Sequence, residues 1–162
     1  MDWQGKKAGV DWIDIVAVDI SGRHAERGRY LMVCAVVFAR VSPAFLEKIY
    51  SVRLMPRLAE AVDLNTVADL TSAAVQGLPG ILIAEPGDFY NLEIWRVKSV
   101  LGREFKHPET LAERTAIELA HHISVAGRRL IRDMESNEGA DEAKIELEDD
   151  PKDNSKDDLR MI

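Results

Sequence analysis

The chain has 162 residues, 46% of them apolar, with 28 acidic against 21 basic side chains and one cysteine. That length fits one domain with appendages, and six prolines and ten glycines are too few for a low-complexity chain. The charge is uneven: from Asp133 onward there are 12 acidic and 4 basic residues, which leaves residues 1–132 at a net +1 and gives only weak support for a polyanion-binding body.

Residues 1–12 read as an extension in which Trp3 and Trp12 are the packing residues, with no apolar segment of the kind a signal peptide carries. The run IDIVAVDI from Ile13 is β-branched and stops at the breaker pair Ser21-Gly22, which predicts a strand. Tyr30–Phe38 predicts a second one. Both are too apolar to have a wet face, so they are expected to be central, and their short connection makes them antiparallel neighbours. Cys34 lies in the second run and is expected to be a buried, inert thiol. A single cysteine forms no internal disulfide, and the longest apolar runs fall far short of the roughly 20 residues that span a bilayer. These features point to a cytoplasmic protein with no membrane segment.

Ser42-Pro43 reads as a helix start, with Leu46, Ile49, Tyr50 and Leu54 on one face and Pro56 kinking or dividing the helix. Asn65 or Thr66 would cap a short helix running to Gly77. Gly80–Ala84, bounded by Pro-Gly pairs, predicts a buried strand. A helix over about Asn91–Leu101 ends at Gly102, and Arg103–Lys106 follows as a short strand. The clearest helix covers Glu109–Ser124 and is expected to stop at Gly127. Beyond Asp133 large apolar residues nearly vanish, so residues 133–162 are expected to be a disordered acidic tail. The plain reading of that tail is a solubilising extension; the sharper one is a polynucleotide mimic that covers a basic groove. The domain proper is then residues 13–132, an α/β fold with a mixed sheet flanked by helices.

Familiar signatures are absent: no phosphate-binding loop, no Rossmann glycine fingerprint, no nucleophile elbow. Cys34 lacks partner cysteines, and His121-His122 are adjacent on a helix, about 100° apart, too divergent to ligate one ion together. What remains is carboxylates. Asp19 sits inside an apolar strand, where it must be paired, hydrogen-bonded or bound to a cation, or else accept N–H bonds from the Ser21-Gly22 turn. Glu85 follows the apolar strand GILIA, at the kind of strand end where open sheets place ligands, with Asp88 three residues on. On the last helix, the apolar set 112, 116, 119, 120 and 123 centres about 80° from Glu113 and about 40° from Glu109, so both border the buried face; His121 falls on the far side. Carboxylates from separate elements suit Mg²⁺ or Mn²⁺, and such ions would bracket a phosphodiester. Arg23, Arg27, Arg103, Lys106, Arg128 and Arg129 are the candidate phosphate contacts, alongside Arg29 and Lys98.

An Asp in the first strand, a hairpin into the second, an acid ending a later strand and an acid on the last helix together resemble the ribonuclease H-like superfamily. VDISGRHAERGRYLMVCAVV is similar in layout to the first hairpin of type 2 ribonucleases H. Through VDISGRH, IAEPGDFYN and ETLAERTAIELAHHIS the chain also looks like an uncharacterised archaeal family with a domain of unknown function, over about residues 13–132. The superfamily resemblance implies a divalent-metal-dependent nuclease acting on structured DNA or RNA, with Asp19 bridging the metal, Glu85 second and Glu113 or Glu109 third. Two departures stand out. Asp19 is followed by Ile20 rather than Glu, and no third strand is distinct. The choice among Glu109, Glu113 and Glu118 stays open. The competing expectations are a non-catalytic module that binds a protein or nucleic-acid partner, and a small-molecule hydrolase using the same acids. Nothing in the sequence sets an oligomeric state.

Overall fold

The computed structural model describes residues 11–24 and 28–148, with side chains described to residue 138. The expected extension at residues 1–10, Arg27 and residues 149–162 of the expected tail lie outside these.

The first strand, β1 (Ile13–Ser21), is flanked on both sides and buried on both faces. Its odd residues Ile15 and Ala17 enter one core and its even residues Val16, Val18 and Ile20 enter the other. That is why the run carries no polar alternation. β2 (Tyr30–Val41) pairs with it antiparallel, from Ile13↔Val41 to Ser21↔Val33, as the short connection predicts.

The expected helix after Ser42 is instead β3 (Leu46–Ala59), antiparallel to β2 at the sheet edge. Ser42 closes a tight turn: its backbone N–H donates to the Phe45 carbonyl at 2.9 Å, and its hydroxyl accepts from the Phe45 N–H at 3.0 Å. The decisive pattern is the alternation over Ser51–Ala59, where every second residue is exposed. Pro56, read as a helix breaker, is tolerated opposite Val33 because an edge strand has one unpaired side.

α1 (Leu64–Ala74) is capped by Asp63, whose carboxylate accepts from the Thr66 N–H, so the cap lies two or three residues earlier than predicted. β4 (Ile81–Ile83) then runs parallel to β1, with Ala17 opposite Ile83. A 3₁₀ turn over Pro86–Phe89 leads to α2 (Ile94–Leu101), ended by Gly102, and β5 (Phe105–Lys106) completes the order β3-β2-β1-β4-β5.

α1 and α2 cover one face of the sheet through Val67, Leu70, Ala74, Val75 and Val97. α3 (Leu111–Glu148) covers the other through Ala112, Ala116, Ile117 and Ala120, against Ala17, Ala35 and Ala39 of the strands. Alanine facing alanine lets the helix lie close, at interior packing density.

α3 does not stop at Gly127. A Cβ there would lie 2.9 Å from a Leu54 methyl carbon, so the glycine serves close passage over β3 rather than termination. The helix continues to Glu148, which corrects the expectation of disorder for residues 133–148. Low apolar content forbids a second core, but it does not forbid adding turns to a helix already nucleated, and residues 130–148 contain no proline and five glutamates. The body through Arg129 and the segment from Leu130 are separate compact units. Among the described residues no helix is long and apolar enough to cross a membrane.

Candidate functional site

The site forms where β1 and β4, parallel and adjacent, reach their C-terminal ends. Asp19 is odd-numbered on β1, so it points to the α3 side, and it is only 8% exposed. The Ser124 hydroxyl donates to its Oδ2 at 2.6 Å, a short bond of the charge-assisted kind. His121 Nδ1 lies 3.3 Å from the same oxygen, while 58% of its side chain stays exposed. The Ser21 hydroxyl donates to the Ser124 carbonyl at 3.0 Å, which ties the end of β1 to the helix.

The second acid is Asp88, in the 3₁₀ turn after β4. Burial and then the charge of Asp19 push its carboxyl from the ordinary 3.8 up to about 7; Glu85 adds to the rise, while Arg23 and His121 oppose it. Arg23 comes from the β1–β2 connection. It donates to the Asp88 carbonyl, lies 3.6 Å from Oδ1 and sits over the Tyr90 ring at 5.5 Å. Asp88 Oδ2 and Arg23 Nε are both buried with no hydrogen-bond partner. Tyr90 and Asn91 follow with φ of 56° and 55°, a left-handed pair that non-glycine residues rarely adopt. Cys34 feels the same surroundings: burial, then Asp88 and Asp19, push its thiol up to about 12, so it stays protonated as predicted.

The residues predicted from sequence fare differently. Asp19 is central. Glu85 is exposed beside Asp88 and close enough to raise its pKa. Glu113 is turned away. It is 1% exposed, its Oε1 accepts from the backbone N–H groups of Glu109 and Thr110 at 3.0 and 3.1 Å, and its Oε2 is 2.9 Å from Lys106 Nζ. The Thr110 hydroxyl in turn accepts from the Glu113 N–H, which makes a capping box at the start of α3. Eleven residues separate Glu113 from Ser124, roughly 16 Å along the axis, so the helix keeps Glu113 from joining Asp19. Glu109 precedes α3 and is exposed, 3.7 Å from Lys106.

The helical wheel misled because polar residues share the buried face. Taken over the buried residues Ala112, Glu113, Ala116, Ile117, Ala120 and Ser124, that face centres about 20° from Glu113, and His121 stands near its border instead of opposite it. Asp88, Ser124 and His121 were thus undervalued. Their signal was the acid pair Glu85/Asp88 around a Pro-Gly turn and the i,i+3 pair His121/Ser124.

Of the candidate phosphate contacts among the described residues, Arg23 stands at this site. Arg103 donates to the carbonyls of Leu78 and Gly80, at the opposite end of β4. Lys106 is held by Glu113, Arg128 donates to the Leu31 carbonyl at 2.9 Å, and Arg129 is exposed on α3.

Although burial resists ionisation of Glu113, the Lys106 bond and the two backbone N–H groups outweigh it and hold its carboxyl below the ordinary value. Its contribution to stability is therefore full above about pH 4.5 and lost as the pH falls through the depressed value. Glu113→Ala is expected to cost about 2–3 kcal/mol at pH 7 by leaving the Glu109 and Thr110 N–H groups without this acceptor and Lys106 with only the longer contact to Glu109. Urea unfolding at pH 7 and pH 3 checks this, since the gap between variant and wild type should shrink at pH 3.

Among the described residues no three His, Cys, Asp or Glu side chains are grouped to hold a metal ion. Two carboxylates do lie close enough for the charge of Asp19 to raise the pKa of Asp88, whose Oδ2 is buried without a hydrogen-bond partner.

No solved structure matches the chain. The profile of a family described as an uncharacterised protein conserved in archaea (DUF2209) matches residues 16–132, well over half its length. The chain belongs to this family. The matched span of DUF2209 contains the whole site, from Asp19 and Arg23 through Asp88 to His121 and Ser124. A relative in Methanocaldococcus jannaschii, itself named as uncharacterised, is 26% identical over 119 residues; the alignment covers 72% of this DUF2209 chain and 94% of the relative.

Proposed function

We propose that this DUF2209 protein is a ribonuclease H-like, divalent-metal-dependent nuclease acting on structured DNA or RNA, with Asp19 and Asp88 as its metal-binding carboxylates. The observation that carries the reading is Asp88: a largely buried carboxyl driven up to about 7 by desolvation and by Asp19, with its buried Oδ2 lacking a hydrogen-bond partner. Such an arrangement is unfavourable for the protein alone, and an added cation relieves it. The layout agrees with the superfamily resemblance: a first-strand acid, a hairpin, an acid after a later strand beside the first, and a last helix crossing the same strand end.

Asp19 and Asp88 fit Mg²⁺ or Mn²⁺, which take one or two carboxylates and keep several waters. When bound, the ion would lower the pKa of a water and neutralise phosphate charge. Ser124 and His121 fix Asp19 through Oδ2, leaving Oδ1 as its donor atom. Arg23 balances Asp88 and brings positive charge to the rim where a phosphate would approach. Glu113, committed to its capping box, takes no part, and Glu85 stands outside as an exposed third acid.

Asp19→Asn is expected to abolish Mn²⁺-dependent cleavage of branched and RNA-containing duplexes, by at least about 100-fold, while the fold persists because Asn still accepts from Ser124. Absence of Mn²⁺ binding by calorimetry at millimolar concentration in the wild type would sink the idea. One observation favours a non-catalytic binding module instead: Ser124 and Arg23 already give each acid a partner within the fold. Under that reading Asp19→Asn chiefly lowers the melting temperature.

A further inference from the structure

On the segment that follows Asp88 the chain displays two exposed aromatic side chains, and an arginine lies against each. Tyr90 is 42% exposed with Arg23 over its ring; Trp95 is 61% exposed with Arg96 over its ring at 5.2 Å. Both lie on the segment that leaves the C-terminal end of β4: Tyr90 closes the 3₁₀ turn holding Asp88, and Trp95 sits in the first turn of α2. The indole N–H donates to the Glu93 carboxylate, which fixes the plane of the ring.

The backbone argues independently. The left-handed position at the end of the 3₁₀ turn is one that glycine takes without cost, yet the chain places Tyr90 there and Asn91, also left-handed, after it. Core packing does not account for Tyr90, which joins neither core and stays 42% exposed with the arginine over its ring. Left-handed strain retained at a partly exposed aromatic beside Asp88 is of the kind kept where a surface meets a ligand.

We propose that Tyr90 and Trp95 form a nucleobase-stacking platform that binds unpaired strands of nucleic acid at the edge of the Asp19–Asp88 site. Every base has a π-face, so rings bind single strands with little regard to sequence, and arginines over the rings add cation–π attraction. The charge balance favours bases over phosphates as the anchor. Arg23 is engaged by Asp88, Glu85 and Glu93 are nearby, and the body is close to neutral, so few counterions would be released. The proposal rests on the nuclease reading only for its choice of ligand class.

The test uses the full chain in EDTA, where no cleavage intervenes, and fluorescence anisotropy of a labelled oligothymidylate of about 15 nucleotides. Wild type is expected to bind. Trp95→Ala and Tyr90→Ala should each weaken binding by about 5- to 100-fold, and Trp95→Phe should restore most of the loss. The salt dependence should be shallow, with a log–log slope near −1 to −2, as for about two phosphates. An abasic strand of equal length should bind far more weakly. Circular dichroism checks folding, which exposed Trp95 should not disturb.

The platform is refuted if Trp95→Ala and Tyr90→Ala bind like wild type, if the abasic strand binds as well, or if wild type shows no binding; the last result would leave the rings as a protein-docking surface. Failure of the nuclease reading is separable. Trp95-dependent binding with no cleavage in any metal keeps the platform and removes the nuclease, whereas Asp19-dependent cleavage with binding indifferent to Trp95 does the reverse.

Discussion

Asp88→Asn is expected to stabilise the protein at pH 8 by up to about 4 kcal/mol, which is on the order of 10 °C in melting temperature for a domain of this size. The folded protein holds the Asp88 proton up to about pH 7, whereas an unfolded chain releases it near 3.8. A carboxyl whose pKa is raised by folding favours the native state at low pH, and that advantage disappears as the pH rises toward the folded value. Wild type should therefore lose stability progressively between about pH 4 and pH 7, and Asn, which has no charge to bury, should not. The raised value already includes the help of Arg23, so removing the charge relieves more burial and repulsion from Asp19 than it sacrifices in ion pairing. Thermal melts of both proteins at about pH 3.5, 5 and 8 decide the matter: the curves should nearly coincide at pH 3.5, part by pH 5 and stand furthest apart at pH 8. Parallel pH profiles would show that Asp88 is not the strained group. Under the nuclease reading the same substitution weakens Mn²⁺ binding, so stability would rise while function falls.

The other large effect concerns the turn that presents Arg23. Gly22 has φ of +89°, and a Cβ there would lie 1.9 Å from the Leu31 carbonyl oxygen and 2.6 Å from Arg128 Nε. Both contacts are well inside any tolerated approach, and the first is with backbone that β2 holds in register. Gly22→Ala must therefore combine an unfavourable φ with displacement of the hairpin and disruption of the Arg128 bond to Leu31. A loss above about 3 kcal/mol is expected, in the range reserved for backbone strain combined with a broken buried contact. Gly87 supplies the control: nothing lies within 4 Å of its added Cβ, so Gly87→Ala should stay within about 0.5 kcal/mol. Urea unfolding of the two variants separates a specific clash from a general intolerance of alanine near the site.

Local and near-local patterns decided much of the fold. Doubly apolar runs made β1, β2 and β4 central strands, a Pro-Gly boundary set β4, Gly102 ended α2, and the short connection made β1 and β2 antiparallel. Cys34 and Asp19 were legible for the same reason, since burial follows from an apolar run and a charge inside one demands a partner. β3 was misread because Leu46, Ile49, Tyr50 and Leu54 happen to match a helical spacing, and only pairing with β2 selects the strand. The length of α3 was misread because propagation from a nucleated helix needs no core of its own.

The site divides along the same line. By itself the sequence determined which residues bear charge and that Asp19 must be satisfied. Which acids meet was a matter of tertiary structure. Glu113 and Asp88 are comparable on paper, yet a threonine three residues earlier and a lysine on β5 draw Glu113 into a capping box, while a 3₁₀ turn carries Asp88 toward Asp19. The physical reason is that a carboxylate's role follows from the donors and charges within a few ångströms of it. Those neighbours come here from β1, the β1–β2 connection, the turn after β4 and α3, elements far apart in the chain that the sheet brings to one end.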